Sequence, residues 1–380
     1  MRNPRIAVLL SATVSLVATL VAQDVDAQAS RLMRGGEQPD MMLDPATRRR
    51  VIDGLVRQID SSYVDPATAR RMSEWLRARA RRGAYERITS AKALAETLTT
   101  QLQSLSHDKH LRLFYSHEPL PAGGGARLPS PEIEAEERRY GASINHGIEA
   151  VRRLPGNVGY LDIREFLPEA DSKFEAAMHL LADTDALIID LRRGRGGRPE
   201  QVRLLCSYLL APPPVLLNIT YSRERAESLK VWSLESLPGP RYTGRNVYVL
   251  TSGFTFSAAE MFSYTMQAAG RVTVVGETTG GGGHGMNFRQ VTPHFAASIP
   301  FIRPINPNTG GGWETGGVKP DVSCAAEEAL KTAHVTALRA VLRDKPAGEE
   351  RTKLARTLDD LEHDRDPDAA SERGGPRFVR

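Results

Sequence analysis

The sequence predicts an α/β protein in which a layer of covered strands follows a smaller helical region. Short, almost wholly apolar runs such as ALIIDL, VYVLTS and RVTVVGE alternate with helical segments, as strands covered on both faces do. The first part of the chain instead carries apolar residues at helical spacing. Glycine clusters follow the apolar runs, where strands must turn. With 380 residues, 41% hydrophobic and 25% charged, the chain can bury a core and suggests about two structural units. Its net charge of +4 is spread over mixed charges, with no basic tract and interleaved aromatics, so nucleic acid is not an expected partner.

Residues 1–29 have the three parts of a secretory signal peptide: the basic MRNPR, an apolar stretch, and Ala27-Gln28-Ala29 as a cleavage site. The competing reading is an uncleaved anchor, since the apolar run approaches the length that spans a bilayer. The small-residue site favours cleavage, so a secreted or periplasmic protein with no membrane span after signal removal is expected. Residues 30–42 read as a mobile leader. A helical subdomain is expected over 43–116. Asp44-Pro45 opens its first helix, with Val51, Ile52, Leu55, Val56 and Ile59 on one face. Ala67 to Arg82 reads as a second helix, with Met72, Trp75 and Leu76 on its apolar face. Ser90 caps a third with a Leu94, Leu98, Leu102 and Leu105 stripe, and LRLFY follows as a strand.

Residues 117–140, holding PLPAGGGARLPSP and EIEAEERR, read as a linker. The α/β core is expected over 141–343. Its elements are strand GNVGYLDIREF, helix DSKFEAAMHLLAD, strand ALIIDL, helix PEQVRLLCSYLL, a hairpin from VLLNITYSR and KVWSL, strand VYVLTS, the helix after TFSAAE, and RVTVVGE. Residues 344–380 read as a mobile charged tail. Cys206 and Cys324 make no disulfide scaffold, and without HExxH or paired CxxC no metal site is expected. No cofactor is expected either, since the glycine spacing and surrounding acids do not fit a dinucleotide fingerprint.

Three glycine-rich places and one serine could carry chemistry. In DLRRGRGGRPE, Gly194, Gly196 and Gly197 precede a helix, which suits either an anion or oxyanion site or a tight turn. GETTGGGGHG holds His284, either catalytic or an ordinary loop residue. NPNTGGGWETGGVKPD holds Glu314, which alone reads as an exposed loop acid. In TFSAAE, Ser257 and Glu260 have capping-box spacing, and locally the cap is the favoured reading. Ser257 would equally be a nucleophile at a helix N-terminus if a base reached it. The candidates are His110, His284, Lys109 and Lys319, all distant in sequence.

Taken together, DLRRGRGG, TSGFTFSAAEMFSYTMQAAGRVTVVGETTGGG and GVKPD resemble the tail-specific (C-terminal-processing) serine proteases. YVDP, DKHL and GNVGYLDI resemble the branch containing interphotoreceptor retinoid-binding protein and its bacterial relatives. The likeness covers roughly Asp44 to Ala340 and implies a ClpP/crotonase-like core with a helical N-terminal subdomain. By resemblance, Ser257 is the nucleophile, and Gly196 or Gly197 with the Ala258 N–H forms the oxyanion hole. The lysine of the processing proteases falls on Gly282, so that Ser–Lys dyad is absent. The tricorn protease core instead implies His110 as base, with Glu314 acting indirectly to orient it, and Lys109 departs from the serine found there. His284 is the alternative base. No PDZ module fits between Ser116 and Gly156. The implied activity is an exported serine peptidase acting on peptides or unfolded protein ends. The alternative is a non-catalytic carrier of an apolar ligand, of retinoid or fatty-acid type, on the same fold.

Overall fold

In the computed structural model, which describes residues 37–120 and 131–367, the chain divides into two units. One holds the chain up to Arg139 with Ser222–Glu227 and His284–Ile302; the other holds Tyr140–Tyr221, Ser228–Gly283 and the chain from Arg303 onward. The expected signal peptide lies outside the described residues.

The first unit begins with helices α1 (Pro45–Ser62), α2 (Pro66–Arg81) and α3 (Ala91–Ser106). Each starts on a side-chain cap: Asp44 accepts from the Thr47 N–H at 2.7 Å, Asp65 from Thr68 at 2.9 Å and Ser90 from Ala93 at 3.0 Å. The apolar faces read from the sequence are buried, with Trp75 and Leu105 only half-covered. Strand β1 (Arg112–Tyr115) forms where LRLFY was expected. It does not stand alone. β9 (Gly285–Thr292) and β10 (Phe295–Ile305) form an antiparallel pair, and β10 also pairs with β1, Arg112 opposite Ser298. The helical subdomain is therefore a helix-and-sheet unit. Ala296, Ala297 and Pro300 dilute the alternation of β10, which hid it from a pattern reading.

The leader is also more ordered than its composition suggested. Its last residues are held by backbone pairing: Met41 O accepts from the Ala91 N–H at 3.0 Å, Met42 pairs with Ser90, and just beyond them the Leu43 N–H donates to Thr89 O at 2.7 Å. Backbone bonds of this kind leave no signature in side-chain type. The expected linker likewise contains a helix, α4 (Pro131–Ser143), because PEIEAEERRY combines an initial proline with strong helix formers.

The second unit is a six-stranded sheet in the order β11-β8-β7-β4-β3-β2. Here β2 is Ile148–Leu154, β3 Val158–Ile163, β4 Ala186–Asp190, β7 Asn246–Thr251, β8 Thr273–Gly276 and β11 Val322–Ser323. All neighbours run parallel except the edge strand β2. Alternate residues serve two cores. Leu161, Leu187, Ile189, Val249 and Val274 face the side of α5 (Asp171–Leu181), α6 (Pro199–Leu209) and α7 (Ala258–Ala268). Tyr160, Ile188, Tyr248, Leu250 and Val275 face α8 (Ala329–Asp344). Cys206 is a free, buried member of the first core, where burial pushes its thiol pKa up, and Cys324 is free as well. β5 (Leu216–Ser222) and β6 (Glu227–Trp232) supply the expected hairpin.

The expected tail is not all tail. Residues 349–362 form α9 (Glu349–Glu362), which buries Leu354 against the α8 core with Leu358 and Leu361 beside it. Leucines spaced four and three apart make a seam that the charged surroundings concealed.

Candidate active site

Parallel strands release their chains at one end of a sheet, and crevices form there. In the second unit, the turn after β4 is DLRRGRGG, β7 leads into TSGFTFS, and β8 leads into GETTGGGG. Hydrogen bonds lock the first two together. The Phe256 N–H donates to Gly194 O at 3.0 Å, Thr255 Oγ1 to Leu191 O at 2.7 Å, and Ser252 Oγ to Arg192 O at 2.5 Å. The glycine turn is anchored on its other side, where Phe166 N–H donates to Gly196 O at 2.8 Å and Arg198 N–H to Phe166 O at 2.7 Å.

The turn needs its glycines. Gly196 and Gly197 have φ of 117° and 129°, a region closed to ordinary side chains. A Cβ on Gly196 would lie 2.8 Å from the Ser257 Cβ and 3.4 Å from the Ala258 nitrogen; one on Gly197 would lie 2.3 Å from Phe166 O. Gly196 is thus pressed onto the Ser257 side chain. Among the described residues, the Gly197 and Ala258 N–H groups donate to no acceptor within the protein.

Ser257 has φ 55° and ψ −119°. An ordinary helix cap sits in the extended region, whereas a serine held at positive φ between strand and helix is strained by about 1–3 kcal/mol. Such a turn is the geometry that projects a nucleophile. Glu260 sits where the capping reading placed it, accepting the Ser257 N–H at 2.8 Å. It is not a surface cap. Its carboxylate is 0% exposed and also takes Thr279 Oγ1 at 2.6 Å, Gly281 N–H at 2.6 Å and Gly282 N–H at 2.8 Å. Burial raises its pKa, and the four donors pull against that rise. At the position where a lysine would stand, Gly282 therefore offers a backbone N–H to a buried acid.

Glu314 lies on a strap that pairs with this loop. The Thr315 N–H donates to Gly281 O at 2.9 Å, and the buried Trp313 donates from Nε1 to Gly282 O at 2.9 Å. The Glu314 carboxylate accepts the Gly283 N–H at 2.6 Å, on the residue that immediately precedes His284 in the chain.

The first unit brings both candidate histidines around one acid. Asp108 is 1% exposed, and its Oδ2 is 2.8 Å from His284 Nδ1 and accepts Tyr63 OH at 3.1 Å. Its Oδ1 accepts the His110 N–H at 3.0 Å. Tyr63 stands edge-on to the His284 ring at 6.5 Å. His110 is fixed at the turn from α3 to β1, where Ser298 Oγ on β10 donates to its carbonyl at 2.5 Å. Burial lowers the His110 pKa to about 4, with the Asp108 charge opposing the shift and His284 adding to it. At neutral pH the ring is therefore neutral and able to accept a proton. Lys109 and Lys319 are exposed.

Three residues of this arrangement escaped the sequence reading. Asp108 was visible in DKH, but nothing in the chain pairs it with His284, 176 positions away. Tyr63 and Thr279 become polar partners only through burial.

Comparison with known proteins places these observations. Residues 157–324 match the model of peptidase family S41, and residues 46–141 match the N-terminal domain of peptidase S41 in eukaryotic IRBP. Tricorn protease of Thermoplasma volcanium is 26% identical over 186 residues, 48% of this chain. The matched part is 17% of that relative's length. A lipoprotein from Streptococcus agalactiae superposes with a TM-score of 0.51 at 14% identity, covering 79% of this chain and 99% of the other. A candidate peptidase from Parabacteroides merdae gives a TM-score of 0.51 at 19% identity, covering 73% and 90%. These likenesses show the fold, the α/β core with an N-terminal helical region.

Proposed function

Since the chain belongs to peptidase family S41, by two family models that together match more than half of it, we propose that it is a serine peptidase with Ser257 as nucleophile. One observation carries this reading: Ser257 is held at positive φ between β7 and α7, with Gly196 pressed against its side chain. Ser257 Oγ attacks the scissile carbonyl carbon and His110 accepts its proton, later passing it to the leaving amine. The N–H groups of Ala258 and of Gly196 or Gly197 receive the oxyanion, a contribution of about 3 kcal/mol per donor. Glu314 acts at one remove, through Gly283, on the loop that leads to His284. The N-terminal MRNPR, apolar run and Ala27-Gln28-Ala29 support an exported enzyme acting on peptides or unfolded protein ends.

A fluorophosphonate probe tests this. Labelling of the wild type, its loss in Ser257→Ala and its slowing by 100-fold or more in His110→Ala is the expected pattern. Labelling that persists without Ser257, or no labelling of wild type, sinks the proposal. Slowing in His284→Ala but not in His110→Ala would move the base to His284 and leave the reaction class intact. Tight retinoid or fatty-acid binding by an unlabelled protein would favour the carrier.

A further inference from the structure

The glycine turn beside Ser257 is also an arginine turn. DLRRGRGGR carries Arg192, Arg193, Arg195 and Arg198, with Arg164 from the end of β3 beside it. Two buried acids stand at the ends of β3 and β4, and both are spent. Asp190 is clasped by Arg192, at 2.6 Å from Nη2 and 3.0 Å from Nε, and accepts Tyr160 OH at 2.7 Å. Asp162 binds Arg164 at 2.9 Å and Arg193 at 3.4 Å. Burial raises the Asp162 pKa, with the Asp190 charge adding to the rise.

Arg195 has no such partner. Among the described residues no carboxylate pairs with it, and its side chain is exposed. Its guanidinium lies over the ring of Phe254, 6.0 Å from the centre, and Phe254 is itself 57% exposed. Glu277, which follows β8, is engaged by the Gly253 N–H at 3.0 Å and the Ala326 N–H at 3.3 Å. The backbone of each is fixed. The Arg195 N–H donates to Arg164 O at 2.8 Å, and Phe254 N–H to Ser252 Oγ at 3.0 Å. Arg195 directly precedes Gly196, which rests on Ser257; Phe254 lies three residues before that serine. An exposed cation and an exposed ring thus flank the nucleophile from both of its supporting turns.

From this geometry we propose that Arg195 and Phe254 form a specificity subsite for an acidic side chain next to the scissile bond. The carboxylate of an Asp or Glu takes a charge-assisted hydrogen bond from the Arg195 guanidinium, and the ring covers its methylene groups. This rests on the peptidase reading, and it assigns that enzyme a substrate class: acidic peptides.

The experiment compares fluorogenic peptides that differ only by Asp against Asn, or Glu against Gln, at the residues flanking the central bond. Turnover by the wild type, and anisotropy binding to Ser257→Ala in low salt, should both favour the acid, by about three- to tenfold. Arg195→Gln should bring the ratio close to one, Arg195→Lys should retain part of it, and Arg195→Glu should reverse it. Raising salt should shrink the ratio. Equal use of acid and amide, binding of neither, or a ratio that survives Arg195→Gln overturns the subsite. Fluorophosphonate labelling, read on the same preparations, reports separately whether the peptidase reading stands.

Discussion

Asp108 in the first unit and Glu260 in the second invite comparison, because both are buried carboxylates that gather several donors. Glu260 binds only groups that never change charge: three backbone N–H groups and a hydroxyl. Asp108 binds a hydroxyl, a backbone N–H and an imidazole. The first is a fixed anchor for the serine turn. The second shares its charge with an imidazole, a side chain able to carry a proton. Fixed donors surround the carboxylate beside Ser257, and an ionisable ring lies against the carboxylate beside His284.

The most severe way to break the comparison is Glu260→Ala, which strips the acceptor from four buried donors. A loss of about 4 kcal/mol in denaturant unfolding is expected, with only partial recovery in Glu260→Gln, whose amide NH₂ faces donors. A loss under 1 kcal/mol would show that the anchor is dispensable. Gly196→Ala comes next, at about 3 kcal/mol together with loss of probe labelling, since its Cβ meets Ser257 at 2.8 Å and its φ is 117°. Normal labelling would show that the turn can yield.

Asp108→Asn should cost less stability, about 1–2 kcal/mol, because one acceptor oxygen remains. Its distinguishing readout is the imidazole titration of His110 by NMR. Removing the one charge that favours protonation should push that pKa below its value of about 4. An upward shift would contradict the assigned role. Last, the depressed His110 pKa means that the unfolded state binds the extra proton first as pH falls. Its contribution is complete above the unfolded pKa of 6.5 and is lost as pH falls toward about 4. Stability should drop by about 3 kcal/mol across that window, and His110→Gln should flatten that part of the curve. An unchanged slope would mean that His110 is not the group responsible.

What could be read in the sequence was what is written in local pattern. Capping residues Asp44 and Ser90, the apolar faces of α1 to α3, and the buried parallel strands all follow from spacing within a dozen residues. Ser257 and its glycine turn were equally visible, because a strand-to-helix turn needs particular residues. The Ser257–Glu260 spacing was seen too, and its meaning was half right: the bond exists, but burial turns a surface cap into an internal anchor. The β9–β10 pair and the Asp108–His284 contact were not legible. Both depend on partners brought from far along the chain, and neither alternation nor spacing encodes who those partners are.

Strand β10 has a further consequence, which concerns time. The first unit is not finished when its helices have been made, because β1 pairs with a strand whose matching residue, Ser298, comes 186 positions after Arg112. At ribosomal speeds of about 5–20 residues per second, α3 and β1 wait roughly 10–40 seconds for that partner. During the wait the open edge of β1 and the apolar face beneath it have no native cover. The sheet that holds His110 in place is therefore among the last things this chain assembles, and a nascent protein meets its surroundings with the serine turn already translated and the histidine turn still unsupported.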